Sequence, residues 1–257
     1  MSTRADARAE LGRIWATAGR AERICYLTGA TLIGAGLMHL IVFAVDGGPW
    51  HGPVSWRKPA TFGLSFGLTL ITIVWVSAYL PLPDRWRRLL LAMFALDCCV
   101  EVAGITLQAW RHVPSHVNRE TPFDSAVSSV LAAGGGILVV VLGALAVAAF
   151  RVRAAPSMRL ALRAGFVTLL IGLAAGAAMI ARGVVAVDGG DQQRAYEVVG
   201  FLKPVHGVSL HGVLVLPALA WLLSFTDWDE ARRTRVVAVG VAGYGVAITA
   251  ALVYSLA

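Results

Sequence analysis

Seven apolar runs, each long enough to cross a bilayer and parted only by short polar segments, dominate this sequence. At 1.5 Å per helical residue, about 20 residues span roughly 30 Å of hydrocarbon. The runs near 22–45, 59–80, 89–110, 125–150, 160–183, 205–225 and 236–256 meet that length. Composition agrees, since 58% of residues are hydrophobic and only 14% charged, too apolar for a soluble domain. The longest segment between runs, about 184 to 204, leaves no room for a soluble domain. The expected fold is therefore all-α: a seven-helix polytopic membrane domain over 22–257, preceded by a cytoplasmic interfacial segment over 1–21. That segment is rich in Arg and Ala, with Leu11, Ile14, Trp15 and Ala18 at helical spacing. It has no signal-peptide cleavage pattern.

Orientation follows from the basic residues, which favour the cytoplasmic side. Of the 22 Lys and Arg, fifteen precede span 1 or follow spans 2, 4 and 6, and seven lie on the other side. This predicts a bacterial cytoplasmic (inner) membrane protein with a cytoplasmic N-terminus and an external C-terminus. The net charge of +7 then reflects topology and lipid contact, and calls for no nucleic-acid partner. The three cysteines support neither a structural disulfide nor a zinc site, because Cys98 and Cys99 adjoin inside span 3 and Cys25 lies at the boundary of span 1.

Against that topology, all six histidines (His39, His51, His112, His116, His206 and His211) fall in the outer halves of spans or in external loops. Imidazole ligates metals and haem and moves protons near neutral pH, so the clustering suggests a site. His39 and His211 lie about six residues inside their spans, at equal depth, roughly 9 Å below the surface. That is what a bis-histidine haem, or a metal held by His39, His211 and Glu101, requires. His206 precedes His211 by five residues, about 140° around the helix, which suits a lid or supporting residue. His112 and His116 belong to the loop above. The bland account makes an intramembrane histidine a hydrogen-bonding bridge between helices.

Polar residues within the spans form stripes. Asp97, Glu101 and Gln108 share one face of span 3 and lead toward Arg111. An intramembrane carboxylate costs several kcal/mol unless paired or protonated, which makes Asp97 and Glu101 functional candidates. Lys58, Thr61, Ser65, Thr69 and Thr72 line span 2, where hydroxyls ordinarily bond their own helix. Asp124 reads as the N-cap of span 4, behind Pro122. The run Gly134-Gly135-Gly136 permits close helix approach or a flat ligand. Trp50, Trp56, Trp86, Trp110, Trp221 and Trp228 mark span ends as an aromatic belt.

The only two lysines recur in matching contexts. Asp46-Gly47-Gly48 leads to Lys58-Pro59, and Asp188-Gly189-Gly190 leads to Lys203-Pro204. One explanation is a parallel duplication relating spans 1–3 to spans 5–7, which places ligand sites between halves. The other is ordinary turn and helix-start punctuation.

Arg111, Ser115-His116-Val117-Asn118, Thr121-Pro122-Phe123-Asp124, Lys58-Pro59, Gln108 and the His206/His211 spacing together resemble a group of bacterial multi-pass membrane proteins of uncharacterised function. The likeness covers roughly 56–216. In that group the loop reads Ser-His-Phe-Asn, and here Val117 replaces the Phe. The resemblance implies the same topology and candidate residues, His116 and Asn118 included. The plan is also similar in architecture to haem A synthases, although their Glu-x-x-x-Arg motif is missing, Ile105 standing four residues after Glu101.

Three functions are expected. The first is redox chemistry on haem or a divalent metal, with His39 and His211 as ligands, Glu101, Asp97 and Gln108 moving protons or orienting ligands, and Lys58, Lys203 or Arg111 pairing with propionates. The second is transport along the stripes of spans 2 and 3, with Glu101 and Asp97 as a proton relay. The third is metal-dependent intramembrane hydrolysis with Glu101 as base. The partners implied are the lipid bilayer and a small-molecule substrate or electron donor.

Overall fold

In a computed structural model, residues 2–257 are described, with side chains from Arg8 onward, and every regular element among them is helical. The order is α1 (Ser2–Thr17), α2 (Arg20–Asp46), α3 (Arg57–Ser77), α4 (Asp84–Trp110), α5 (Pro122–Ala149), α6 (Pro156–Asp188), α7 (Gln192–Val198), α8 (Lys203–Leu210), α9 (Gly212–Leu223) and α10 (Glu230–Leu256). Seven segments are long and apolar enough to cross a membrane: α2, α3, α4, α5, α6, α8 with α9, and α10. Their surface says the same, since Ile41, Leu96, Val140, Val185, Val239 and Val246 all project outward. Water would penalise such a belt, and lipid solvates it. α1 carries exposed Leu11 and Trp15, the residues an interfacial helix lays on lipid.

Helix ends follow local capping, and they correct some expected boundaries. Glu22 accepts the Gly19 N–H at 2.6 Å and opens α2. Asp191 and Asp229 cap α7 and α10 through the amides of Arg194 and Arg232, at 2.8 and 2.7 Å. Asp124 is not the N-cap of α5. Thr121 is, accepting the Asp124 amide at 3.1 Å with Pro122 in the first turn, which frees the Asp124 carboxylate for other partners. The segment 184–204 is largely helical too, because α6 runs on to Asp188 and α7 follows. Span six breaks at His211, between α8 and α9.

The chain crosses seven times, so the α2–α3, α4–α5 and α6–α8 connections share one face, termed here the histidine face; the opposite face carries most arginines. α2, α3 and α4 pack mutually, as do α6, α8–α9 and α10, while α5 joins α4 to α6 and α3 meets α9 across the middle. Both triplets use glycine to bring backbones together. A Cβ on Gly67 would lie 2.5 Å from the Gly29 carbonyl, and one on Gly165 would lie 3.0 Å from the Gly212 carbonyl. Gly67 and Gly212 each follow a lysine, Lys58 or Lys203, by nine residues. The core between helices is aliphatic and aromatic, centred on Leu70, Ile73, Phe94, Leu145, Phe166 and Leu216.

Candidate functional site

The α4–α5 loop is built before anything can be presented on it. Asp124, 2% exposed, accepts from Gln108 Nε2 at 2.9 Å, from Arg111, and from the Thr121 hydroxyl at 2.6 Å. Gln108 is fully buried, and its amide oxygen accepts from Arg111. Arg111 also lies over the Phe123 ring, 4.6 Å from its centroid. One carboxylate thus ties the end of α4 to the start of α5. Asn118, also fully buried, donates to the Pro114 carbonyl at 3.0 Å and accepts the Glu120 amide at 3.0 Å. Gln108, Arg111 and Asn118 therefore spend their polar atoms on shaping the loop.

From the far side, Gln192 at the start of α7 donates to the Val117 carbonyl at 2.7 Å and accepts the Arg119 amide at 3.1 Å. Arg119 pairs with Asp188. Between these clamps Val117 adopts φ 51°, and His112 φ 54°. A β-branched residue in the left-handed region is strained, and such strain persists only where surrounding contacts over-determine it. The buried Val117 side chain packs against Gly183, whose own Cβ would meet it at 3.0 Å.

This fixed turn aims His116 inward. Its ring sits 5.8 Å from that of Phe62 on α3, and its Nδ1 shares a 2.9 Å hydrogen bond with the Ser115 hydroxyl. Burial, then the neighbouring charges of Lys58 and His206, push the imidazole down to about 3, so it is neutral at physiological pH. Lys58 in turn lies in the field of Lys203 and Arg57, and His206 in that of His211. Basic groups from α3, the loop and α8 thus converge where the two triplets meet. Among the described residues, none of Arg57, Lys58, His116, Lys203, His206 and His211 has a carboxylate within 4.0 Å. A cavity of about 60 Å³, room for a few waters, adjoins His116 and is lined also by Ser128, Ser129 and Ile180.

His206 and His211 are oriented alike. Nδ1 of His206 bonds the Gly172 carbonyl at 2.7 Å, and Nδ1 of His211 bonds the Gly207 carbonyl at 2.8 Å. A carbonyl accepts only, so Nδ1 carries a proton, and in the neutral form of each ring Nε2 keeps its lone pair. His206 is seated by glycine: a Cβ on Gly176 would meet its Cε1 at 3.0 Å.

His39 is engaged elsewhere. It is 1% exposed, donates from Nδ1 to the Ala35 carbonyl at 2.8 Å, and accepts at Nε2 from Trp110 Nε1 at 3.2 Å. Trp56 stacks on it at 6.2 Å, and Trp110 meets Trp56 edge-on at 5.0 Å. With both nitrogens used, His39 bridges α2 and α4 and offers no lone pair to a ligand. Trp56 accordingly leaves the expected aromatic belt and is buried, its indole N–H donating to Asp46 at 2.5 Å. Glu101 lies far down α4, facing Gly134 on α5 with Asp97 beside it. The set His39, His211 and Glu101 is not assembled: among the described residues, no three His, Cys, Asp or Glu side chains converge as metal ligands do. Of the span 2 hydroxyls, Thr61 and Thr72 satisfy their own helix, bonding the Arg57 and Leu68 carbonyls, each at 2.8 Å.

Sequence reasoning missed Phe62, which walls His116, and Gln192, which clamps the loop. Neither carries a local signal, since each matters through a partner more than 50 residues away. No protein-family model, curated protein or solved structure matches this chain.

Proposed function

We propose that this chain is a multi-pass protein of the bacterial inner membrane, N-terminus cytoplasmic, that binds a small anionic solute at its external face as the entry step of transport. The observation that carries the reading is the convergence of Lys58, Lys203, His116 and His206 from both helix triplets with no carboxylate beside them. Of these groups the two lysines are cations, and without counter-charge they destabilise one another, a cost that an anion relieves. The arginine bias of the opposite face supports the orientation. A carboxylate or phosphate between the lysines would offset the Lys58 charge now acting on His116 and raise its pKa part of the way, burial still holding it down, so that proton uptake is partial and grows as pH falls. Binding then strengthens as pH falls.

The test is a thermal-shift titration of the detergent-purified protein with inorganic phosphate, succinate and pyrophosphate, at two pH values. At about 100 times Kd an anion adds roughly 2.7 kcal/mol to stability. Stabilisation by at least one anion, greater at lower pH and lost in Lys58→Ala and Lys203→Ala, supports the reading. Indifference to all three at low ionic strength refutes it.

A second reading, haem or metal ligation, rests on His206 and His211. Each has Nδ1 held by a carbonyl and Nε2 free, the arrangement a ligating histidine needs. In that case Lys58 and Lys203 would face propionates. A Soret band or bound metal lost in His206→Ala but kept in His39→Ala would favour it over the anion site.

A further inference from the structure

Asp97 is the middle residue of α4, with thirteen residues on either side, about 20 Å of helix toward each face. Glu101 stands one turn nearer the histidine face. They are 5% and 3% exposed, and neither has a basic partner within 4.0 Å among the described residues. Asp97 Oδ2 is sealed from solvent with no hydrogen-bond partner at all. The space holding the pair is made by a glycine. A Cβ on Gly134 of α5 would lie 2.6 Å from Glu101 Oε1 and 2.8 Å from Asp97 Oδ1. Both oxygens therefore border one small niche, no more than about 5.4 Å apart, a separation at which like charges disfavour each other strongly. Of the triple glycine only Gly134 is needed for this, since Gly135 and Gly136 face open space.

Two ionised carboxylates in such a niche, remote from water and without a cation, are not sustainable. Protonating one carboxyl removes one of the two charges, so a single proton relieves the mutual repulsion and the burial cost of that group together. Among the described residues, Asp97 is the charged group that acts on Glu101. The remaining titratable neighbours of this stretch are thiols, Cys98 and Cys99 on α4 and Cys25 on α2. α3 and α5 present none against it.

We propose that Asp97 and Glu101, framed by Gly134, form a proton-binding site at the middle of the membrane, a site separate from the basic cluster above. The occupant is a proton, and an alkali cation is the competing chemistry the test must separate.

Dicyclohexylcarbodiimide, an apolar reagent, distinguishes them. A buried carboxylic acid gives its proton to the reagent nitrogen, its oxygen adds to the central carbon, and the O-acylisourea rearranges to a stable N-acylurea. Intact protein in detergent is labelled across acid to alkaline pH, with and without NaCl or KCl, and the adduct is located by peptide mass spectrometry. The expected result is labelling of Glu101 or Asp97 at neutral pH, at least tenfold above any other carboxyl, declining at alkaline pH and indifferent to either salt. Glu101→Gln and Asp97→Asn together abolish it. Absence of adduct at every pH overturns the proposal, and protection by Na⁺ or K⁺ overturns it in favour of a cation site. If the variants do not fold, the infrared carbonyl band of a buried carboxylic acid in the wild type, downshifted in D₂O, decides the matter; its absence at neutral pH counts against the site. Anion binding plays no part in these measurements, so they stand or fall apart from the reading above.

Discussion

Removing the Asp124 carboxylate should unfasten the loop that presents His116, and the cost can be worked out group by group. In Asp124→Ala, the fully buried Gln108 loses the acceptor for its Nε2. An orphaned buried donor costs about 1–3 kcal/mol. Arg111 loses its ion pair, but its side chain is 36% exposed and rehydrates, so about 0.5–1 kcal/mol is appropriate. The Thr121 hydroxyl gives up its 2.6 Å bond to Oδ2 yet still caps the residue 124 amide, so little is added there. The total is about 3 kcal/mol, which for a chain of this size lowers Tm by roughly 6–12 °C. Circular dichroism melting in one fixed detergent measures it. The diagnostic is the second variant. Adding Gln108→Leu to Asp124→Ala removes the orphan, so the double variant should recover about 1 kcal/mol or more relative to the single. A Tm for Asp124→Ala within about 2 °C of wild type, or a double variant no better than the single, would refute the assignment of this carboxylate as the loop's anchor.

Other expectations follow from the same geometry. His116 titrates near 3 when folded and near 6.5 when unfolded, so the unfolded state binds the extra proton. Stability is therefore full above about pH 6.5 and falls as pH drops toward 3, by about 1–2 kcal/mol at pH 5 after allowing for the half-buried ring. Melts across that range should show the slope in the wild type and a flatter profile in His116→Gln. Gly67→Ala drives a methyl against the Gly29 carbonyl and should cost about 1–3 kcal/mol, while Gly34→Ala, with open space around it, should be neutral; the two melts side by side check this. Trp110→Phe takes the donor from His39 Nε2, and a loss of about 1 kcal/mol in Tm-derived stability is expected, with no effect on anion binding.

What the sequence made legible was depth, and what it hid was azimuth. Hydropathy located all seven spans, because the requirement to satisfy backbone groups within lipid leaves helices as the available solution. Helix ends proved less legible: Thr121 and Asp124 are both good capping residues three apart, and only the structure shows that Pro122 suits the first turn behind Thr121. His39 was rightly placed inside the histidine face, yet its neighbour Trp110 comes from 71 residues away, and that contact turned a proposed ligand into a bridge. The matching Lys-Pro segments drew attention to Lys58 and Lys203, and in the fold Lys58 lies in the field of Lys203, while Lys203 lies in that of Arg57. His116 completes the site through a turn held by Gln192 and a left-handed Val117, and no spacing rule encodes that. Along α4 the stripe was legible as one face, but its division was not: Gln108 serves the loop, while Asp97 and Glu101 serve a glycine niche.

The packing of Trp56 against Trp110 at 5.0 Å, with the His39 ring beside both, has an optical consequence. Two indoles at that range exchange excitation energy, so the pair responds as a unit. Trp56 opens α3 two residues before Lys58, and Trp110 closes α4 one residue before Arg111. Any shift of α3 against α4 when the basic cluster fills would change the emission of this pair. Trp56 and Trp110 are two of eight tryptophans, so the difference in emission between the wild type and Trp110→Phe isolates the signal of this pair.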